Sequence, residues 1–460
     1  MKQYKEYKKT GLSWLPQIPS NWEWRFLSQV AHEQAIKKPS GVMFPVLTLS
    51  YGEVKRKKNI DSGLVPANYD TYQMLYRDNI ILRLIDLQND HTSLRTGLVQ
   101  ETGIITSAYT CIASTENAAY LHYLLHSYDT RKVFYGYGGG VRQSIGFKDI
   151  RYLQVPVPSR VEQDQIVRFL DWKASSINKL INIKHKEIAE LEASKLLCIT
   201  DKVTNGFASE KELKTCASKW IKNVPSHWKT ISVRRAYAVI LGKMLAPNMT
   251  AESDTLEEYV CAKDVHFDGI NLADLKKMWF SPLEREQYRI CDGDLLVVEG
   301  GAGAGNAAIV HKAPDKDIYV QNSIHIIRAK NGMANNKYLC FWLYSLVKRG
   351  YMKSVCSVAT IPHYTKDKVL STIMPLPPLN EQEEIVEYLE KRCFQIDAAI
   401  AAVESSIKEL KELRARLIAD AVTGKIDVRG IEIPEYEFVD EVVDADTEDD
   451  SEGETEEQEE

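Results

Sequence analysis

The sequence predicts an α+β fold: an internally duplicated domain of mixed strands and short helices, each copy followed by one long helix. Three observations predict it. The stretch "VPVPSRVEQDQIVRFL" (155–170) returns 219 residues later as "MPLPPLNEQEEIVEYL" (374–389), with seven of sixteen aligned positions identical. A second motif, "WLPQIPSNW" (14–22), returns as "WIKNVPSHW" (220–228) at an offset of 206. Behind each Glu-Gln pair runs a long amphipathic segment with apolar residues at three- and four-residue steps.

The first repeated segment sets the helix starts. Proline doublets precede both Glu-Gln pairs, and "VTNG" (203–206) and "VTGK" (422–425) close the helices with a glycine stop. Ile166, Leu170, Ile177, Leu180, Ile188 and Leu191 form the stripe of the first helix. Ile385, Leu389, Ile396, Val403, Ile407 and Leu410 form that of the second. A helix of about 40 residues, hence about 60 Å, with one apolar stripe needs a partner. The sequence expectation is a coiled coil within one chain; the alternative is that each helix packs on its own domain.

The two inserts between the anchors, about 23–155 and 229–374, share little sequence. In the first, "YRDNIILRLIDLQ" and "GIITSAYTCIAS" read as strands and "AAYLHYLLHSY" as a helix. In the second, "CDGDLLVVEGG", "AAIVHK" and "YVQNSIHIIRA" read as strands and "NNKYLCFWLYSLVKRG" as a helix. The order is the same in both. The frame was kept while the inserts diverged. In the shorter motif the Pro-Ser step is expected to cap an element and the tryptophans to anchor packing.

Length and composition fit this reading. At 460 residues the chain suits two to four units, and 44% hydrophobic with 27% charged residues is ordinary for a globular protein. No apolar run is long enough to span a bilayer. Eight scattered cysteines without a C-x-x-C pair argue for reduced thiols, a cytoplasmic compartment and no structural zinc. The net charge of −6 hides an uneven distribution: residues 431–460 carry sixteen acids and no base, leaving +10 on residues 1–430. A moderately basic body suits a nucleic-acid partner. The acidic tail is expected to be disordered, either as a solubilising extension or as a DNA mimic.

Catalytic motifs are missing. "EGGAGAGNAA" (299–308) lacks the Lys-Ser/Thr ending of a phosphate loop and no helix follows it, so it reads as a tight turn that lets backbone approach a partner. No clustered acids with a nearby lysine, no H-E-x-x-H, no G-x-S-x-G and no Asn-Pro-Pro-aromatic segment appear. What remains are basic and polar-aromatic loops suited to DNA contact. Lys55, Arg56, Lys57 and Lys58 form a basic run, which reads first as a solvated face and second as a phosphate-contact patch. Tyr135, Tyr137, Arg142 and Gln143 share a glycine-rich loop whose Arg and Gln can read guanine and adenine edges. Thr360, His363, Tyr364 and Lys366 occupy the equivalent loop of the second insert. Asn89, His91 and Arg95, with Gly303 and Asn306 of the glycine turn, complete the candidates.

The repeated Trp…Pro-Ser-x-Trp, the P-x-P-x-x-x-E-Q-x-x-I-V helix start and the V-T-x-G or V-T-G-K exit together resemble the specificity subunit of type I restriction-modification systems. "LQNDHTSLRTGLVQETGIITSAY", "GDLLVVEGGAGAGNAAIV" and "ATIPHYTKDKV" are similar to recognition-domain segments of that family. The resemblance reaches to about residue 425 and omits the acidic tail.

It implies two α/β target recognition domains (1–158 and 207–378) separated by two long antiparallel helices (159–206 and 379–424) in a pseudo-twofold repeat, with an acidic tail at 425–460. Each domain would read one half of a bipartite, asymmetric site on double-stranded DNA, and the helices would act as a ruler. Two methyltransferase subunits would dock on the frame and bring S-adenosylmethionine for adenine N6 methylation. Motor-nuclease subunits would bring ATP and Mg2+. The chain itself would hold no cofactor and catalyse nothing. The competing readings are a DNA-cleaving or methylating enzyme, a scaffold that does not read DNA, and a decoy subunit that assembles but is not used.

Overall fold

The computed structural model describes residues 2–50, 52–57, 69–85, 87, 94–137, 144–209, 212–311, 316–330, 332–356 and 362–440. The chain divides into two compact units: residues 1–186 with 403–460, and residues 187–402. Four helices organise them: α1 (Ala118–Thr130), α2 (Arg160–Asn205), α3 (Asn336–Lys348) and α4 (Leu379–Val422). Helices α2 and α4 contain 46 and 44 residues, which makes each roughly 65–70 Å long.

In the first unit, strand Glu23–Phe26 pairs antiparallel with Gln154–Val157, so the insert leaves beside the place where it began. Between them lie a four-stranded antiparallel sheet (Thr96–Leu98, Asn79–Leu82, Thr110–Ser114, Ala31–Glu33) and a three-stranded one (Gly103–Ile105, Gln73–Leu75, Ile36–Lys37). Helix α1 starts where the Asn117 side chain accepts the Tyr120 amide (3.1 Å). Its Tyr120, Leu121, Leu124, Leu125 and Tyr128 recur at helical spacing and are buried in one core with Ile166, Phe169, Leu170, Ile418, Ala421 and Val422. The first turns of α2 therefore lie against the last turns of α4 within this unit. Residues 425–440 continue along α2, held by its amides: Gln165 Nε2 donates to the Val428 and Ile431 carbonyls (3.1 and 2.8 Å), and Asn178 Nδ2 to that of Val439 (3.0 Å). This part of the acidic tail was expected to be disordered. It is packed because polar helix side chains satisfy its backbone; residues 441–460 lie outside the described residues.

The second unit repeats the plan with different lengths. Strand Lys229–Ser232 pairs antiparallel with Ile373–Leu376. The four-stranded antiparallel sheet runs Tyr237–Leu241, Ile324–Ala329, Leu295–Val298, Ala307–Ile309. A three-stranded sheet adds the parallel pair Thr255–Val260 and Tyr319–Val320. Helix α3 is capped by Asn335, whose side chain accepts the Lys337 and Tyr338 amides (2.8 and 3.3 Å). Tyr338, Leu339, Trp342, Leu343 and Leu346 share a core with Ile199, Val203, Ile385, Val386 and Leu389. Here the last turns of α2 meet the first turns of α4, tied by Lys195 Nζ to Asp397 (2.7 Å). The sheets are almost wholly antiparallel, so each insert is itself α+β and not the α/β domain expected.

Of the stripe residues, Ile166, Leu170, Ile177, Ile385, Leu389, Ile396, Val403 and Ile407 are buried, and Ile188, Leu191 and Leu410 half-buried. Leu180 is 49% exposed and its neighbour Ile181 is buried instead. A straight helix turns about 100° per residue, so the four-residue step from Ile177 stays on the buried face where the three-residue step leaves it.

Helix α1 also carries two partly buried imidazoles. Burial is the main cause that lowers His122 to about 3 and His126 to about 4, helped at His122 by His126 and at His126 by Arg414. The ordinary histidine value is 6.5, so the unfolded chain binds these protons first and their contribution is present above that pH. It is lost as pH falls towards the folded values. Acidifying to about pH 5 is expected to cost the first unit about 2 kcal/mol, after discounting for residual solvent. Urea midpoints against pH for the wild type and for His122→Gln/His126→Gln check this; parallel curves would refute it.

Candidate nucleic-acid interface

The repeated motifs meet in space within each unit. In the first, the Trp22 indole N–H donates to Glu162 Oε1 (3.0 Å), which also accepts the Tyr4 hydroxyl (2.7 Å). Gln163 Nε2 donates to the Pro158 carbonyl (3.0 Å) and its Oε1 accepts the Asn117 amide (3.0 Å). The Tyr120 hydroxyl donates to the Val422 carbonyl (3.2 Å). In the second unit Trp228 donates to Glu381 (2.8 Å), Gln382 to Pro377 (2.8 Å), the Asn335 amide to Gln382 (2.9 Å) and the Tyr338 hydroxyl to Val203 (2.8 Å). Apart from the Tyr4 bond, each of these partners has its repeat counterpart on the other side. The Pro-Ser step forms a turn, with the Trp22 and Trp228 amides donating to the Pro19 and Pro225 carbonyls (3.1 and 2.9 Å), and its serine caps no helix.

This network ties the helix of each insert to the two long helices. In the second unit the glycine turn closes the hairpin between Leu295–Val298 and Ala307–Ile309, with Gly301 and Gly305 both at φ 86°. It is joined to the 362–366 segment: Gly300 and His363 form a bridge, the Gly301 amide donates to the Pro362 carbonyl (3.2 Å) and the Tyr364 amide to Glu299 (2.6 Å). A Cβ at Gly300 would lie 2.9 Å from His363 Nδ1, which explains the glycine. Two candidate segments sixty residues apart in sequence thus form one surface with His363 and Lys366 exposed and Asn306 half-buried.

Beneath it, burial lowers the pKa of His325, whose Nε2 bonds the Tyr364 carbonyl (3.0 Å). Burial raises that of Glu299, against the opposing pull of His363. An acceptor (Glu299), an amide (Asn306) and an imidazole (His363) within one loop pair are the group types that read base edges.

Some candidates are structural. Tyr364 is fully buried and its hydroxyl shares a hydrogen bond with Thr372 (2.6 Å), so it supports the loop from within. Arg95 is also fully buried: its guanidinium donates to the Arg83 and Ile85 carbonyls (3.1 and 2.8 Å) and to the Tyr135 hydroxyl (3.3 Å). Both Arg95 and Tyr135 are engaged inside the first unit, and Tyr137 packs against its core. Lys55 and Arg56 lie on the hairpin strand Glu53–Arg56, paired with Glu53 (2.6 Å) and Glu101. The Glu101 hydrogen bond raises the Arg56 pKa and lowers its own. Lys57 follows at the strand end, half-buried. Gly303 shapes the glycine turn. Lys58, Asn89, His91, Arg142, Gln143 and Thr360 lie outside the described residues.

Among the described residues no group of His, Cys, Asp and Glu could hold a metal, and no helix is long and apolar enough to cross a membrane. All eight cysteines are free.

Residues 280–412 match the model of the type I restriction modification DNA specificity domain. The chain is 23% identical over 317 residues to a putative type I restriction enzyme MjaX specificity subunit of Methanocaldococcus jannaschii, covering 67% of this chain and 68% of that one. It is 35% identical over 80 residues, 17% of each chain, to the EcoBI specificity subunit of Escherichia coli. A chain from a structural study of complex assembly and conformational transition in a type I R-M system shares the fold, with a TM-score of 0.64 and 16% identity over 89% of this chain and 99% of that one. The duplicated motifs, the matched domain and these relatives agree: residues 280–412 match a type I restriction modification DNA specificity domain, and the chain is similar to type I restriction enzyme specificity subunits.

Proposed function

We propose that this chain is the DNA-reading, non-catalytic subunit of a type I restriction-modification complex, with each unit's insert reading one half of a bipartite, asymmetric site. One observation carries the reading: the same hydrogen-bond set, Trp22–Glu162, Gln163–Asn117 and Tyr120–Val422, recurs as Trp228–Glu381, Gln382–Asn335 and Tyr338–Val203 beneath two unlike inserts. A duplicated base with divergent heads suits a target whose halves differ while their separation is fixed. The two long helices would pair as a coiled coil and set that separation, plausibly near one turn of DNA, about 34 Å. A pseudo-twofold frame would seat two methyltransferase subunits, and through them the motor-nuclease subunits. Those partners would bring S-adenosylmethionine, ATP and Mg2+.

Mapping methylated adenines in cells that carry the chain with its partners tests this. A split motif with a constant spacer is expected. Exchanging residues 23–155 for the insert of another specificity subunit is expected to change one half-site and leave the other and the spacer intact. Changes in both halves would refute the one-insert, one-half assignment.

A further inference from the structure

The second unit carries a basic groove whose cations lie outside the repeated motifs, although Trp220 at its edge heads one of them. Helix α3 ends at Lys348, and Gly350 turns the chain at φ 84° into a short helix, Tyr351–Val355. That left-handed step, which suits glycine, brings Lys348 and Arg349 onto the same rim as Lys353. Lys219 and Trp220 close the other side of a groove of about 850 Å3. Arg349 Nη1 donates to the Trp220 carbonyl (3.0 Å), and the Arg349 and Lys219 cations lie 5.8 and 5.2 Å from the Trp220 ring centre.

Charge is the telling feature. Several other cations of this unit find carboxylates: Lys243 with Glu284, Lys316 and Lys277 with Glu258, Arg328 with Asp294. Among the described residues no carboxylate pairs with Lys219, Lys348, Arg349 or Lys353. Burial lowers the Arg349 pKa, the mark of a cation desolvated without an anion beside it. Four cations lining one groove repel one another, and an anion entering it relieves that repulsion.

Position identifies the anion. A chain of edge-on rings links the groove to the candidate reading loop from within: Trp220 packs against Tyr351 (5.3 Å), and Tyr351 against the buried Tyr364 (6.4 Å), the residue next to His363. The first unit keeps part of the device, since Arg131 donates to the Trp14 carbonyl (3.1 Å) and Lys132 takes the left-handed position (φ 60°).

We propose that Lys219, Lys348, Arg349 and Lys353 form a clamp for DNA backbone phosphates that positions the duplex against the His363 loop without reading sequence. The clamp rests on the DNA-reading function proposed above. Each phosphate contact contributes about 0.9 to the slope of log affinity against log salt. For the full chain, Lys348→Ala/Lys353→Ala is expected to flatten that slope by about 2 and to weaken duplex binding roughly 10- to 60-fold at about 0.1 M salt. The loss is expected to be equal for cognate and unrelated duplexes. Lys348→Arg/Lys353→Arg is expected to restore both, which separates charge from folding.

The control Lys277→Ala/Lys316→Ala removes equal charge from the same unit. An equal loss from that control, an unchanged slope in the groove variant or a loss confined to the cognate site would each overturn the clamp while leaving the DNA-reading function standing. Failure of the wild-type chain to bind any duplex would overturn both.

Discussion

Trp228→Ala is expected to destabilise the second unit by about 3–5 kcal/mol, the cost of emptying a fully buried aromatic site. The indole does two things there. It fills the space beside Gly206 and Ile385, and it donates to Glu381 (2.8 Å) at the start of α4. Trp228→Phe keeps most of the volume and loses the donor, so about 1–2 kcal/mol is expected. Glu381 retains a bond to His227 Nε2 (2.8 Å), which softens that second loss. Denaturant unfolding followed by circular dichroism, with amide exchange to locate the effect in residues 187–402, checks both values. An alanine effect below about 1 kcal/mol would show that the repeat's tryptophan is not a packing anchor.

Gly424→Val is expected to cost the first unit about 2–4 kcal/mol, from a left-handed backbone and an overfilled site together. Gly424 ends α4 at φ 70°, with its amide donating to the Ala421 carbonyl (3.2 Å) and the Lys425 amide to Asp420 (2.8 Å). A Cβ there would fall 2.4 Å from the Pro19 ring and 3.2 Å from Trp22. The repeat partner Gly206 has φ 58° and would place a Cβ 2.7 Å from Trp228, so Gly206→Ala should act alike in the second unit. Gly430→Ala, with open space around it, is the near-neutral comparison. Equal effects at Gly424 and Gly430 would remove the steric explanation.

The frame was legible in the sequence because its working residues are the repeated ones. Trp, Glu-Gln and V-T-x-G are kept in both copies, and each makes the same contact twice. The strand and helix order of the inserts was legible for a related reason, since Tyr120 to Tyr128 and Tyr338 to Leu346 recur at helical spacing. The reading surface was only half legible. Arg95 and Tyr364 look like DNA-facing residues because a polar or aromatic side chain in a loop has the same sequence signature pointing in or out. Only the Arg83 and Ile85 carbonyls and the Thr372 hydroxyl decide the direction, and each lies at a distance no local pattern encodes. The union of Gly300 with His363 was hidden in the same way. Residues 431–440 misled through composition: acids suggest solvent, yet Gln165, Ser175 and Asn178 supply the partners that order the backbone. The groove of Lys348 and Lys353 was overlooked because "LVKRGYMK" is also how an ordinary helix ends.

The first unit is assembled from both ends of the chain, and that sets a timetable on the ribosome. Trp22 and Tyr120 emerge early, but Ile418, Val422 and Gly424, which complete their surroundings, are translated about three hundred residues or more later. At about 5–20 residues per second the nascent helix α1 waits roughly 15–60 s with apolar surface uncovered. Chaperone demand during synthesis should therefore fall on the first-made half, and a premature stop before residue 418 should leave that half, not the second, prone to aggregation.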